Sequence, residues 1–352
     1  MRALTLIPQT PGTLGVTEVP DPAPEAGVLT VDAIAVGICG TDREIASGAY
    51  GWAPPGRERL ILGHESLGRV RTAPTGSGFA TGDLVVGIVR RPDPLPCGAC
   101  ARGEFDMCRN GEYTERGIKE RDGYAAQQWT IEPEYAIKVD PALADVGVLL
   151  EPATVVAKAW EQIEKIGARA WFAPRRVLIT GAGPIGLLAA LLGRERGLEV
   201  HVLDRVADGP KPKLVAELGA QYHTEELTVV GPKIAPDIVI EATGNAQVAL
   251  GAMETSSPAG IVCLTGVSSA GRATQVDAGL LNRNLVLEND VIFGSVNANR
   301  RHYEQAALAL ARADTGWLAG LITRRLPLER AAEAFRPGEH ADIKVVIDME
   351  TK

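Results

Sequence analysis

The sequence predicts an α/β protein in two parts, a doubly wound parallel sheet and a β-rich part to which both ends of the chain contribute. Three observations predict it. The first 150 residues carry short apolar or alternating runs bounded by Gly or Pro, with no long helical pattern between them. From Arg175 onward, apolar strands alternate with helical stretches, the βαβ rhythm of a parallel sheet. Roughly the last 55 residues drop that rhythm and are expected to return to the β-rich part.

The length of 352 residues suits two domains. With 45% hydrophobic and 23% charged residues, the chain is neither a disordered tail protein, a collagen nor a coiled coil. A net charge of −8 argues against nucleic acid or an anionic membrane as partner. No apolar run reaches the roughly 18 residues of a membrane span, and the alternating start MRALTLI lacks a signal-peptide core. The five cysteines are odd in number, with three of them within twelve residues. That spacing favours metal over a disulfide framework, and a reducing cytoplasm is the expected compartment.

In chain order, MRALTLI, GVLTVDAIAVGIC, LGRVRTA, GDLVVGIV and YAAQQWTI read as strands. The texture changes near Pro152. From there to Ile166, Val155, Ala159, Ile163 and Ile166 share a helical face. VLIT then leads into the helix of GAGPIGLLAALLGRERG, followed by VHVLD, PKLVAELGA, DIVIEATG, VALGAMETS, GIVCLTG and VIFGSVN. A helix over His302–Ala313 and strands in LITRRL and IKVVIDM close the chain. The expected domains are residues 1–155 with 297–352, and residues 156–296.

Gly181-Ala182-Gly183-Pro184-Ile185-Gly186 follows the strand Val177–Thr180 and opens a helix. The first glycine permits the tight turn, the second the approach of a pyrophosphate, and the third close packing of helix on strand. The helix N-terminus offers free N–H groups and a positive dipole end. Asp204 ends the second strand eighteen residues past Gly186, where a carboxylate accepts from ribose hydroxyls and repels a 2′-phosphate. This reads as NAD over NADP, with Arg205 beside it able to hold a 2′-phosphate. Two later strands end in Thr243-Gly244 and Thr265-Gly266-Val267, at the sheet edge that faces a ligand.

Two motifs upstream carry metal-binding chemistry, Gly37-Ile38-Cys39-Gly40-Thr41-Asp42 and Gly63-His64-Glu65-Ser66-Leu67-Gly68. Thiolate, imidazole and carboxylate are zinc's preferred ligands, and a catalytic zinc takes about three of them plus an open position. Cys39, His64 and either Glu65 or Glu151 meet that count, and Asp42 suits the other ring N–H of His64. His201 lies mid-strand and reads as structural. His302 opens a helix just after Asn297 and is a weaker candidate to face a cleft.

On these motifs the chain resembles the zinc-dependent medium-chain dehydrogenases, a Rossmann domain joined to a GroES-like catalytic domain. It is similar within them to the glucose 1-dehydrogenase branch. The branch marks are GICGTDREI, LGHE, VRRP before a cysteine cluster, GEYTERGI from Gly111, DGY from Asp122 and EHADIK from Glu339. The resemblance implies a zinc shell of Cys39, His64, Glu65 and Glu151, with the two glutamates alternating as ligands. It implies sugar contacts from Thr41, Glu115, Glu151 and Asn297, and places Ser295, Val296 and Asn297 near the nicotinamide. It also implies a four-cysteine zinc lobe around Cys97, Cys100 and Cys108. The fourth cysteine's place holds Pro94, so the lobe is either completed by the adjacent Asp93 or is a metal-free loop.

The expected reaction is zinc-dependent hydride transfer from a sugar hydroxyl to NAD, with NADP as the alternative cofactor; an aldose would yield its lactone. Val89 stands where the branch can hold a sugar-binding Asn, which leaves D-glucose open against another aldose or polyol. The alternatives are a polyol, cyclitol or amino alcohol such as threonine, and a nucleotide-binding protein without catalysis. The edge strand of the nucleotide domain and the family's habit imply a homodimer or homotetramer.

Overall fold

The computed structural model describes residues 1–23, 25–268, 273–336 and 342–350. Of the branch marks, Glu339, His340 and Ala341 lie outside them. The chain divides into two units, Met1–Glu151 with Ala298–Lys352, and Pro152–Asn297. It has the expected fold class, a parallel α/β sheet and a β-rich part.

In the first unit the ten-residue strand Leu29–Ile38 is the organising element. Its alternating valines and alanines bury one face, as a half-covered antiparallel strand does. It lies between Glu65–Thr72 and Lys344–Asp348 in a sheet that continues outward to Leu84–Gly87 and Ala136–Lys138 on one side and Ile322–Pro327 on the other. Gln128–Ile131 also pairs with it. The C-terminal strand is thus in register with the N-terminal one, Val345 against Ile38 and Ile347 against Val36. Leu29, Val31, Val36, Val345 and Ile347 meet Tyr124 and Trp129 in the core.

The second unit is a six-stranded parallel sheet in the order Gln221–His223, Glu199–Leu203, Arg176–Thr180, Ile238–Glu241, Ile261–Leu264, Val291–Gly294. Its central strands are continuous apolar runs because helices cover both faces. The order reverses between Arg176–Thr180 and Ile238–Glu241, and ligands bind beyond the carboxyl ends at such a switch point. Three elements of this unit escaped the sequence reading, one of them the helix Ala278–Glu288, which buries none of its residues and so shows no apolar face. Gln221–His223 is too short to show a period, and the helix Leu227–Ile234 contains Pro232. Among the described residues, no helix is long and apolar enough to cross a membrane.

Candidate active site

Strand register builds the first constellation. Gly37 pairs with Glu65 across adjacent antiparallel strands. The chain leaves the first strand at Cys39 and enters the second from His64, so the two residues face each other. Cys39 Sγ lies 3.0 Å from His64 Nε2. Cys39 also caps the helix Gly40–Ala46, its sulfur accepting from the Thr41 N–H at 3.2 Å. Asp42 closes the turn, Oδ2 accepting from the Cys39 N–H at 2.9 Å while Oδ1 stands 3.4 Å from His64 Nδ1. Cys39, His64 and Glu65 each present a ligand atom within 4.8 Å of the others. Sulfur, imidazole nitrogen and carboxylate oxygen converging in this way fit a zinc ion.

Glu65 is fully buried, and its partner was not legible in the sequence. Lys344, from the C-terminal strand and equally buried, sets Nζ 2.6 and 2.7 Å from the two carboxylate oxygens. Glu65 therefore reaches a metal only by sharing an oxygen with that ammonium or leaving it. The pair also explains Gly37, where a Cβ would stand 2.0 Å from Glu65 Oε2.

The charges here are strongly coupled. Burial works against a charged His64, but the negative charges of Cys39 and Asp42 outweigh it and raise the imidazole well above its usual range. Burial likewise opposes the Asp42 charge, and His64 with the Cys39 N–H pulls its carboxyl below the usual value. Glu151, at the start of the helix Leu150–Gly167, is pushed up to about 7, first by burial and then by Glu65 and Asp42 against the opposing pull of His64 and Lys344. Its carboxylate is near enough to feel these groups but is not part of the tight three-ligand cluster.

Of the other expected residues in this unit, Thr41 is half-buried in the first turn after Cys39. Glu115 is buried, with Arg90 Nε and Nη2 at 3.1 and 3.0 Å from its Oε1. Val89 is a core residue. His302 is fully buried in the capping turn of the helix Arg300–Arg312. The sulfurs of Cys97, Cys100 and Cys108 cluster within 4.8 Å of one another. Three backbone N–H groups, those of Cys100, Arg109 and Ala99, lower the Cys97 thiol to about 6, while burial raises Cys100 to about 11. Asp93 is not part of that three-sulfur cluster: its Oδ1 accepts from the Leu95 N–H at 2.7 Å, its Oδ2 is buried without a hydrogen-bond partner, and its backbone N–H addresses the Cys100 sulfur.

The nucleotide unit brings its expected residues to one edge. Gly181 has φ +95°, and a Cβ on Gly186 would stand 1.8 Å from the Gly181 carbonyl oxygen, so the turn admits no side chain there. Pro184 and Ile185 open the helix Pro184–Glu195 behind Gly183. Asp204 Oδ2 accepts from the Ala182 N–H at 2.7 Å and from Lys211 Nζ at 2.9 Å. Burial opposes its charge, but these donors and the Val206 N–H hold its pKa below the usual range. Arg205 is exposed beside it.

Glu241, buried at the end of its strand, gathers the two later loops. Its Oε1 accepts from the Thr243 N–H at 2.7 Å, the Gly244 N–H at 3.2 Å and the Thr243 hydroxyl. Its backbone carbonyl accepts from Thr265 Oγ1 at 2.7 Å and from the Gly266 N–H at 3.1 Å. Val267 beyond them is exposed. The sequence signal for Glu241 was an acid closing an apolar strand. Glu241→Ala removes the acceptor that these partly exposed donors share and is expected to cost about 1 kcal/mol, read as a lower urea midpoint. Ser295 is buried, Val296 is exposed with its carbonyl held by Lys158 Nζ at 2.9 Å, and Asn297 adopts φ +61°.

Residues 25–141 match the alcohol dehydrogenase GroES-like domain, and residues 144–349 match the glucose dehydrogenase C-terminus. A glucose 1-dehydrogenase of Methanocella arvoryzae is 40% identical, with 99% of each chain covered. One from Thermoproteus tenax is 40% identical over all of both chains. Among solved structures, a Haloferax mediterranei glucose dehydrogenase in complex with NADP, zinc and gluconolactone superposes with a TM-score of 0.91 at 31% identity, with all of both chains covered. The chain belongs to the medium-chain alcohol dehydrogenase family, in its glucose dehydrogenase branch.

Proposed function

We propose that this protein is a zinc-dependent sugar dehydrogenase that oxidises the C1 hydroxyl of an aldose to the lactone with NAD⁺ or NADP⁺. The observation that carries the reading is the convergence of Cys39, His64 and Glu65 within 4.8 Å. The full-length glucose 1-dehydrogenase relatives and the Haloferax complex support the substrate class.

Cys39 and His64 would hold the zinc, with Glu65 and Glu151 as the carboxylates available to complete the shell. Asp42 orients His64 through its second ring nitrogen. When bound, the zinc supplies Lewis acidity that lowers the pKa of the reacting hydroxyl, and the dinucleotide supplies the hydride acceptor. The Thr41 hydroxyl, two residues from Cys39, would bind the substrate hydroxyl. The Glu151 carboxylate is pushed up to about 7 in the absence of a metal; with zinc beside it that value would fall, keeping it in the ionised form that ligates or accepts a proton. Asn-free Val89 offers no side-chain hydrogen bond, so D-glucose competes with other aldoses and polyols for the assignment.

In the nucleotide unit, the N–H groups at the start of the helix Pro184–Glu195 would hold the pyrophosphate. Asp204 would hold the ribose, but Lys211 on its oxygen and Arg205 beside it supply the positive charge that a 2′-phosphate requires. Both cofactors are therefore expected to serve. Lys211→Ala is expected to lower kcat/KM with NADP⁺ about tenfold more than with NAD⁺, the scale of one lost charged hydrogen bond; equal losses would remove Lys211 from cofactor choice.

A homodimer or homotetramer belongs to this reading. Val291–Gly294 is the sheet's edge strand, and Leu280, Val286 and Leu287 are exposed on a neighbouring helix that buries none of its residues. Five free thiols suit the cytoplasm. The direct test is NADH and NADPH formation across aldoses, polyols and amino alcohols, with and without chelator. Chelator-sensitive turnover of an aldose is the predicted result. Turnover of polyols or amino alcohols alone would refute the aldose assignment and keep the family chemistry.

A further inference from the structure

His201 and His223 lie 22 residues apart in sequence, yet parallel pairing puts them on one face of adjacent strands, with His223 beside Leu203 and His201 beside Gln221. Their inner nitrogens, His201 Nδ1 and His223 Nε2, stand 3.0 Å apart. Each outer nitrogen is backed by a glutamate. Glu199 Oε1 lies 3.3 Å from His201 Nε2, and Glu225 Oε2 lies 3.9 Å from His223 Nδ1. At 3.3 and 3.9 Å these carboxylates act on the ring protons by charge and not by short hydrogen bonds, and they favour the tautomers that carry the protons on the outer nitrogens. Both inner nitrogens then carry lone pairs 3.0 Å apart, and a cation bound to both, off the line that joins them, relieves their repulsion.

We propose that His201 and His223 form a second, non-catalytic site for a divalent transition metal, pinning the edge strand Gln221–His223 to the nucleotide sheet. At metal–nitrogen distances of about 2.1 Å, the 3.0 Å separation gives a nitrogen–metal–nitrogen angle of about 90°, that of two neighbouring ligands on an octahedral ion. Imidazole suits zinc, copper and nickel alike. Glu199 and Glu225 are half-exposed, so water has access to the remaining positions.

The charged groups around the pair balance. Glu199 and Glu225 are the anions, and Arg176 and Lys233 are the cations, contributed by a neighbouring strand and by the helix Leu227–Ile234. Burial first, then the neighbouring imidazole and Arg176, lower the His201 pKa; burial and Lys233 lower that of His223. Both rings are thereby kept in the neutral, metal-binding form near pH 7. The anchor has a local consequence, because the His223 carbonyl accepts the Asp204 N–H at 3.1 Å.

The test is calorimetric titration of Ni²⁺ into the full-length protein, loaded with zinc and then dialysed so that only the thiolate-held zinc remains, using wild type, His223→Gln and Cys108→Ser. His223 is the partly exposed member of the pair, so its replacement spares the strand that His201 occupies. One nickel equivalent is expected in wild type and in Cys108→Ser, weakened at least tenfold in His223→Gln. Nickel should also raise the thermal midpoint of wild type and not of His223→Gln. No nickel binding would mean that a proton alone joins the rings and would overturn the proposal. Binding unchanged in His223→Gln, or lost in Cys108→Ser, would overturn it equally.

Discussion

Cys39→Ser is expected to lose one zinc per chain and at least about 1,000-fold in turnover, since even residues one step behind a metal ligand cost 10- to 100-fold when removed. The choice of serine separates chemistry from folding. Cys39 has two duties, because its side chain also accepts the Thr41 N–H at the start of the helix Gly40–Ala46. Serine is a good N-cap, whereas alanine would cost about 1 kcal/mol there. The serine variant should therefore unfold close to the metal-free wild type in urea while failing in activity and zinc content. Retained zinc with retained turnover would remove Cys39 from the metal shell. A large stability loss in the metal-free state would mean that its role is mainly structural.

Lys344→Met is expected to lower stability by about 3–5 kcal/mol, because it leaves the Glu65 carboxylate buried without its counter-charge. Both partners of this pair are 2% exposed, so solvent screens it little. The loss should be largely reversed by adding Glu65→Gln, which removes the stranded charge. Zinc provides a second readout. In Lys344→Met the ion would be the remaining positive charge facing Glu65, so chelation should destabilise the variant more than wild type. Equal chelator effects, or a stability loss below about 1 kcal/mol as for an exposed pair, would show that Glu65 does not depend on Lys344.

Local signals made half of this site legible. Cys39 and His64 sit in short motifs at the ends of strands, and strand pairing alone brings such ends together. The Gly181–Gly186 turn announces itself because the strand before it and the helix after it are both strong patterns. The residues that the sequence did not reveal act over long separations or through ordinary chemistry. Lys344 stands 279 residues from Glu65, and within IKVVIDM it looks like any strand lysine. Glu241 and Lys211 work by hydrogen bonds that only the folded turn creates. For Asp93 the sequence left two readings open, a fourth ligand or a bystander; the turn at Leu95 takes one of its carboxylate oxygens and leaves the other buried without a hydrogen-bond partner. His201 read as structural because it lies mid-strand; its contact with His223 was hidden because that residue sits on a three-residue strand with no pattern of its own.

The most direct test of the account follows the hydrogen on C1. The zinc-loaded enzyme, given an accepted aldose deuterated at C1, should place one deuterium in the reduced dinucleotide and release the lactone. Both signals should vanish on chelation and return with added zinc. Reduced cofactor without deuterium, or transfer that survives complete removal of zinc, would contradict it.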